Sequence, residues 1–200
     1  MTRPKPFALL FAAAAVVTLS GCVAPVGPVE VTRFHTADIG ALGHGTITVE
    51  PAPGSDGQSI EWRSYQAAVL RQLVLAGYRE ATTGSTGQVA QLRLERATFK
   101  PERPHHPVRV GVGGAAGSYG SAVGVGVGID LTPSPGEQVE TRLAVTIRDR
   151  ATGAVLWEGR ASFTVRATSP LADTALGAPK LAEALFKGFP GQSGETIQVP

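Results

Sequence analysis

The chain has 200 residues, of which 42% are hydrophobic and 17% charged, and it contains one cysteine. This length allows one domain with its own hydrophobic core, and a single cysteine leaves no intramolecular disulfide to support it. The formal net charge of +2 comes from Arg3 and Lys5, because all acidic residues and all other basic residues follow Cys22. The rest of the chain is formally neutral, which argues against a nucleic-acid surface or a polybasic membrane patch.

The first 21 residues are organised like a secretory signal. Two basic residues precede an uncharged run from Phe7 to Leu19, which is shorter than the roughly 20 residues that a membrane-spanning helix needs. The segment Leu19-Ser20-Gly21-Cys22 follows directly and resembles the lipobox of bacterial lipoproteins, whose cysteine receives a diacylglycerol. We therefore expect residues 1–21 to be removed and Cys22 to become the acylated first residue of a periplasm-facing protein.

The segment after the lipobox predicts a tether and a destination. Residues 22–28 contain small residues, proline and glycine, which favour a short linker. In Gram-negative lipoproteins generally, an Asp directly after the cysteine retains the protein at the inner membrane. Val23 occupies that position here, which predicts the outer membrane. We expect a single domain over 29–190 and a frayed tail over 191–200.

The domain is predicted to begin with two strands and a helix. Residues 29–34 and the β-branched segment Thr46 to Glu50 have the composition of strands. Ser59 is a suitable N-cap, and Gly77 a suitable C-terminal residue, for a helix between them. Apolar residues recur on one face of this helix and predict a ridge against the core: Trp62, Tyr65, Val69, Leu73 and Ala76.

A strand over 88–99 is predicted next, with a bulge near Arg96, where the apolar alternation changes register. Two runs that alternate valine with glycine, 108–113 and 123–131, then predict a hairpin joined by a loop over 114–120. One face of this hairpin would be bare glycine. The other face would carry the branched residues Val110, Val112, Val123, Val125, Val127 and Ile129.

The clearest hairpin spans residues 139–165, because two alternating runs flank the turn Asp149 to Gly153. A closing helix is predicted over Leu176 to Lys187. Its predicted inward residues are Leu176, Leu181 and Leu185. Pro179 suits the first turn of a helix, so a start near Ala178 is the alternative. This order of elements predicts an α+β fold, with an antiparallel sheet of about six or seven strands and two helices packed on one face.

The motifs of the chain do not predict catalysis. Gly111 to Ala116 approximates a dinucleotide fingerprint, but a second valine-glycine strand follows where such a loop requires a helix. His105 and His106 point in opposite directions on an extended chain, so a metal site would need further ligands such as His35 and His44. Solvated loop histidines are the simpler interpretation. We expect a non-enzymatic protein with no metal and no cofactor.

Three local features resemble the bacterial envelope lipoproteins grouped as domain of unknown function 4136. The first is the lipobox cysteine ahead of an early strand, and the second is the helix end Leu73-Val-Leu-Ala-Gly77-Tyr78 before Val89-Ala-Gln-Leu92. The third is the segment Val145 to Gly159, with its Asp-x-x-Thr-Gly turn and Trp-x-Gly strand ahead of a closing helix and Phe189-Pro190. The resemblance covers about residues 29–190 and implies an envelope location and this fold. The family has no assigned activity.

These observations favour an envelope interaction or accessory module, anchored to the membrane by lipid and without a nucleic-acid partner. Val112 and Val125 on the valine-glycine hairpin are the candidate contacts with an envelope protein. The alternative is a small-ligand or glycan binder with a cleft between helix and sheet. Its candidate contacts are Trp62, Tyr65 and Tyr119.

Overall fold

The computed structural model describes residues 27–81, 87–101, 108–117, 120–129 and 136–200. Cys22 and Tyr119 lie outside these ranges. The described helices are α1 (Ile60–Leu75) and α2 (Thr174–Phe186), and the 3-10 turn Pro170–Ala172 precedes α2. The described strands are β1 (Val29–His35), β2 (Thr46–Pro51), β3 (Arg79–Glu80), β4 (Gln88–Phe99), β5 (Val108–Gly117), β6 (Gly120–Ile129), β7 (Gln138–Asp149), β8 (Val155–Arg166) and β9 (Thr196–Val199).

Seven of these strands form one sheet in the order β3-β2-β4-β7-β8-β1-β9. Strand β2 is parallel to both β3 and β4, and the other neighbours are antiparallel. The parallel pairs arise because the chain returns from β2 through α1, and a helical crossover adds the next strand in the same direction. The predicted α+β fold, with two helices on one face of a mostly antiparallel sheet, is confirmed. The two parallel pairs were not predicted.

One face of the sheet forms the core with the two helices. Buried residues alternate along the central strands, as the period of two requires. Gly159 belongs to this face because a side chain there would overlap the indole of Trp157, which stacks on Phe186 with ring centroids 5.4 Å apart. The inner-face residues of β7 and β8 are Val139, Thr141, Leu143, Val145, Ile147, Trp157, Gly159, Ala161, Phe163 and Val165.

Helix α1 has the caps that the sequence predicts. The side chain of Ser59 accepts a hydrogen bond of 3.1 Å from the backbone N–H of Trp62. At the other end, Gly77 has a φ of +108°, a left-handed conformation that favours glycine. The apolar ridge faces the core, where the buried residues of α1 are Trp62, Tyr65, Ala68, Val69 and Leu73. The predicted ridge residue Ala76 follows the helix as its C-cap and is only half-buried.

Helix α2 begins two residues earlier than predicted. The Asp173 side chain caps it by accepting a hydrogen bond of 2.8 Å from the backbone N–H of Ala175. Pro179 consequently lies inside the helix, and its predicted place in the first turn is wrong. Leu176 is 52% exposed, so its predicted inward position is also wrong. The predicted inward positions Leu181 and Leu185 are confirmed, because both residues are fully buried.

Strand β4 has no bulge at the predicted place. Its register with β7 pairs Arg96 with Thr141 and stays continuous to the end of the strand. The predicted bulge is wrong because β4 becomes exposed beyond Leu94, where the apolar alternation no longer has to be kept. Arg96 therefore retains the inner-face register of Ala90 and Leu92.

The valine-glycine hairpin is longer than predicted. Strands β5 and β6 pair up to Gly117 and Gly120, so most of the predicted loop over 114–120 belongs to strands. The register sets Val112 opposite Val125 and alternates such pairs with glycine pairs, as the sequence pattern predicts. The hairpin forms a two-stranded sheet separate from the main one.

The predicted frayed tail over 191–200 is wrong, because its last part forms β9 along the edge of β1. The segment before β9 is fixed as well. The Trp157 indole N–H donates a hydrogen bond of 3.0 Å to the Pro190 carbonyl, and the Gly194 N–H donates one of 2.8 Å to the Arg33 carbonyl. Short strands with few apolar residues give a weak sequence signal, and β9 depends on the free edge that β1 offers.

A buried arginine connects β1 to the end of α2. Arg33 occupies an inner-face position of β1 and is 4% exposed. Its Nε donates a hydrogen bond of 3.0 Å to the carbonyl of Leu185, and its Nη2 donates one of 3.1 Å to that of Ala184. These carbonyls lie in the last turn of the helix, where backbone donors become scarce and carbonyls carry partial negative charge. The Ala184 carbonyl also accepts a longer hydrogen bond of 3.4 Å from the Lys187 N–H. Burial lowers the pKa of Arg33, and the Glu195 carboxylate acts in the opposite direction.

We expect Arg33→Met to lower the free energy of unfolding by about 2–4 kcal/mol, because two buried helix-end carbonyls lose a charged donor. Urea denaturation would measure the change. The matched control is Arg160→Met, the same substitution at an exposed position of β8, with an expected change of about 0.5 kcal/mol or less. Equal losses in the two variants would contradict a capping role for Arg33.

Candidate interaction surface

In the chain, the β5–β6 hairpin lies between β4 and β7, which meet at one end of the main sheet. Phe99, the last residue of β4, pairs with Gln138, the first of β7, which in turn pairs with Arg166, the last of β8. We call this end of the sheet the hairpin end. The opposite end, where Gln88 pairs with Asp149, is the far end.

Both helices begin at the hairpin end, where one arginine joins them. Arg96 Nη1 lies 2.6 Å from Glu61 Oε1 in the first turn of α1 and donates to Thr174 Oγ1, 3.2 Å away, at the start of α2. Thr174 Oγ1 also donates a hydrogen bond of 3.0 Å to Glu61 Oε1, and Arg96 Nη2 donates to the Ala172 carbonyl. These contacts fix the two helix N-termini to each other and to β4.

Two aromatic residues of α1, close in the chain to Glu61, are buried in the core. Tyr65 and Trp62, the predicted ligand contacts, are both buried in the core between α1 and the sheet. The packing leaves their rings almost no surface to offer to a ligand. Burial raises the pKa of Tyr65 to about 12, Arg96 opposes the shift, Glu61 adds to it, and the hydrogen bond with Thr141 opposes it. The Trp62 indole N–H has no hydrogen-bond partner among the described residues.

The hairpin end also exposes large apolar side chains. Ile60, the first residue of α1, is 78% exposed, and Leu176, in the first turn of α2, is 52% exposed. Phe99 is exposed at the end of β4. Ile60 adjoins Glu61 in the chain, and Leu176 follows Thr174 by two positions, so both lie beside the polar group around Arg96. Exposed apolar residues that occur together are a feature of interaction surfaces.

The two predicted contact residues of the hairpin face each other across its two paired strands. Val112 in β5 pairs with Val125 in β6, so the backbone brings the two positions together as expected. Tyr119 and Cys22 lie outside the described residues, and their predicted roles remain predictions.

A depression of about 830 Å³ lies on the open face of the sheet, away from the helices. Charged side chains of both signs line it, and Glu140 and Arg142 form an ion pair of 2.7 Å within it. This mixture is typical of the solvated face of an antiparallel sheet and does not select one class of ligand. The charged residues are Glu30, Glu95, Glu140, Glu158, Arg93, Arg142 and Arg160.

The described residues show neither a metal site nor a membrane-spanning helix. The His35 Nδ1–H donates a hydrogen bond of 2.7 Å to the Thr36 carbonyl. Among the described residues, no group of three or more His, Cys, Asp and Glu side chains suits a metal ion. His105 and His106 lie outside those residues. Neither described helix is long and apolar enough to cross a membrane.

Comparison with known proteins gives remote similarities. No family model matches the chain. An uncharacterised protein of Zymomonas mobilis subsp. mobilis is 25% identical over 236 residues, which cover 97% of this chain and 87% of that protein. A PDZ domain protein from Parabacteroides distasonis superposes with a TM-score of 0.49 at 12% identity, covering 94% of this chain but only 42% of that protein's length. A PelC dodecamer from Paraburkholderia phytofirmans gives 0.41 at 15% identity, covering 78% of this chain and 95% of the PelC chain.

Two arginines that organise the domain were missed by the sequence analysis. Arg33 follows Val29 and Val31 at the inner-face spacing of β1, and Arg96 follows Leu92 and Leu94 at the inner-face spacing of β4. A charged residue in the inward register of a strand is a usable signal. A buried cation such as Arg33 requires partners, and a cation at the exposed end of the inner face, such as Arg96, can reach the elements that pack there. Strict attention to the period of two would have identified both positions.

The raised pKa of Tyr65 predicts a pH-dependent contribution to stability. The neutral phenol is favoured in the folded state, so this contribution is complete below the unfolded pKa of about 10 and is lost as the pH rises towards 12. We expect the wild type to lose about 2 kcal/mol more unfolding free energy than Tyr65→Phe between pH 9.5 and pH 12. Urea titrations across this range would measure the difference. Parallel stability curves for the two proteins would contradict it.

Proposed function

We propose that the protein is an outer-membrane-anchored lipoprotein whose non-enzymatic periplasmic domain serves as an interaction or accessory module of the envelope. The observation that carries the proposal is the Leu19-Ser20-Gly21-Cys22 lipobox directly after an apolar run. The folded domain begins soon afterwards, with β1 at Val29. The resemblance to the envelope lipoproteins of domain of unknown function 4136 supports the same location.

The contacts of the domain support an interaction role over catalysis. The polar groups at the hairpin end serve to join helices: Arg96, Glu61 and Thr174 bind one another and the Ala172 carbonyl. Two large apolar side chains, Ile60 and Leu176, are exposed in the first turns of the helices that these contacts join. A binding surface needs such residues, whereas catalysis needs acid, base or nucleophilic groups that converge on one point.

Replacement of the lipobox cysteine tests the anchor. We expect Cys22→Ser to abolish incorporation of radiolabelled palmitate and to move the protein out of the membrane fraction, because serine cannot form the thioether with diacylglycerol. Ser20→Ala keeps a small residue in the lipobox and is the matched control, with labelling expected to persist. Palmitate incorporation into the Cys22→Ser protein would refute the proposed anchor.

Charges on the hairpin test its role as a protein contact. We expect the double variant Val112→Asp and Val125→Asp to lose the envelope partner that wild-type protein retains in an affinity pull-down, because paired carboxylates would oppose an apolar interface. The matched control adds two carboxylates at exposed positions of α1, Val74→Asp and Leu75→Asp, and should keep that partner. The same partners in all three samples would exclude the hairpin from the interface.

A further inference from the structure

We propose that the hairpin end of the domain rests on the bilayer that holds the lipid anchor, with Ile60 and Leu176 in contact with the lipid surface. This inference rests on the proposed lipidation of Cys22. It adds an orientation of the domain and names the residues that touch the membrane.

The length of chain before β1 supplies the first argument. Six residues separate Cys22 from Val29, so seven Cα-to-Cα steps place their Cα atoms no more than about 25 Å apart. Strand β1 starts towards the hairpin end, because its second residue, Glu30, pairs with Ser162, four positions before the end of β8. The anchor therefore favours an orientation in which this end of the sheet faces the membrane.

The chemistry of the hairpin end supplies the second argument. Ile60 and Leu176 are 78% and 52% exposed, and both begin helices whose first turns Arg96 holds in place. The β5–β6 hairpin, which follows β4 at this end of the sheet, also has few charges. Arg109 is the only charged residue in the sequence 108–129. Apolar side chains at a bilayer surface lose contact with water, which favours partitioning.

Exposure alone does not select this end. At the far end of α1, Leu75 is 75% exposed and Val74 is 48% exposed. The two ends of α1 lie about 24 Å apart, given a rise of about 1.5 Å for each of its 16 residues. The tether favours the hairpin end, because it enters the domain closer to that end: Ser162, the partner of Glu30, lies four positions from the end of β8 and seven from its start. The neutral charge of the chain after Cys22 further indicates that the contact depends on apolar groups and should change little with salt.

The two ends of α1 provide matched reporter positions. Full-length protein, processed and acylated in cells, would carry either Ile60→Cys or Leu75→Cys, each labelled with an environment-sensitive fluorophore. Cys22 does not react under the proposed function, because its thiol is consumed by the lipid. The proteins would be reconstituted in vesicles of phosphatidylethanolamine and phosphatidylglycerol that contain a nitroxide-labelled lipid as the quencher.

We expect lipid-borne quenching to be several-fold stronger at position 60 than at position 75. In the Ile60→Cys background, Leu176→Ser should weaken that quenching several-fold, whereas Val74→Ser, at a similarly exposed position, should leave it unchanged. Equal quenching at both reporter positions, or stronger quenching at position 75, would overturn the proposed orientation.

Palmitate content separates this inference from the proposed function. Protein that carries palmitate but shows equal quenching at positions 60 and 75 overturns the orientation alone. Protein that lacks palmitate and does not bind the vesicles overturns the proposed anchor, and the orientation with it.

Discussion

The hydrogen bonds from Arg33 to the end of α2 are the constraint on which much of the domain depends. A guanidinium in the core has a large desolvation cost unless it finds partners, and the carbonyls of Ala184 and Leu185 in the last turn of α2 accept its hydrogen bonds. The guanidinium and the two carbonyls are therefore hydrogen-bond partners for each other. The backbone of Arg33 also binds residues 194 and 195, so the same residue positions β1, α2 and the segment that leads to β9.

Arg96 has the corresponding role at the opposite end of the sheet. It extends the apolar inner face of β4 by one more position, and its planar head reaches both helix N-termini through Glu61, Thr174 and the Ala172 carbonyl. Arginine suits these places because its stem packs as an apolar chain while its head donates several hydrogen bonds in fixed directions. The helical layer is thus held at both ends of the sheet, and Ile60 and Leu176 are presented on a fixed surface.

Local sequence patterns predicted the helices and strands of this fold better than they predicted which strands pair with one another. Alternation and capping residues defined α1 and both hairpins, because those signals act over a few residues. The pairing of β9 with β1 and the parallel contacts of β2 depend on residues far apart in the chain, which no short segment specifies. Pro179 shows the same limit, since the Asp173 cap and the buried side of α2 outweigh the usual cost of a proline within a helix. For the candidate surface, the apolar hairpin was visible in the sequence, whereas the exposure of Ile60 and Leu176 depends on how the helices pack.

The place of β1 between β8 and β9 has a consequence for the order of folding. Val31 pairs with Ala161 on one side and Ile197 on the other, so the earliest strand of the sheet needs partners that are synthesised more than 120 residues later. The part of the sheet that contains β1 therefore cannot be completed until almost the whole chain has been synthesised. Such late completion would suit the export that we propose, because a polypeptide that crosses a membrane unfolded becomes compact only afterwards.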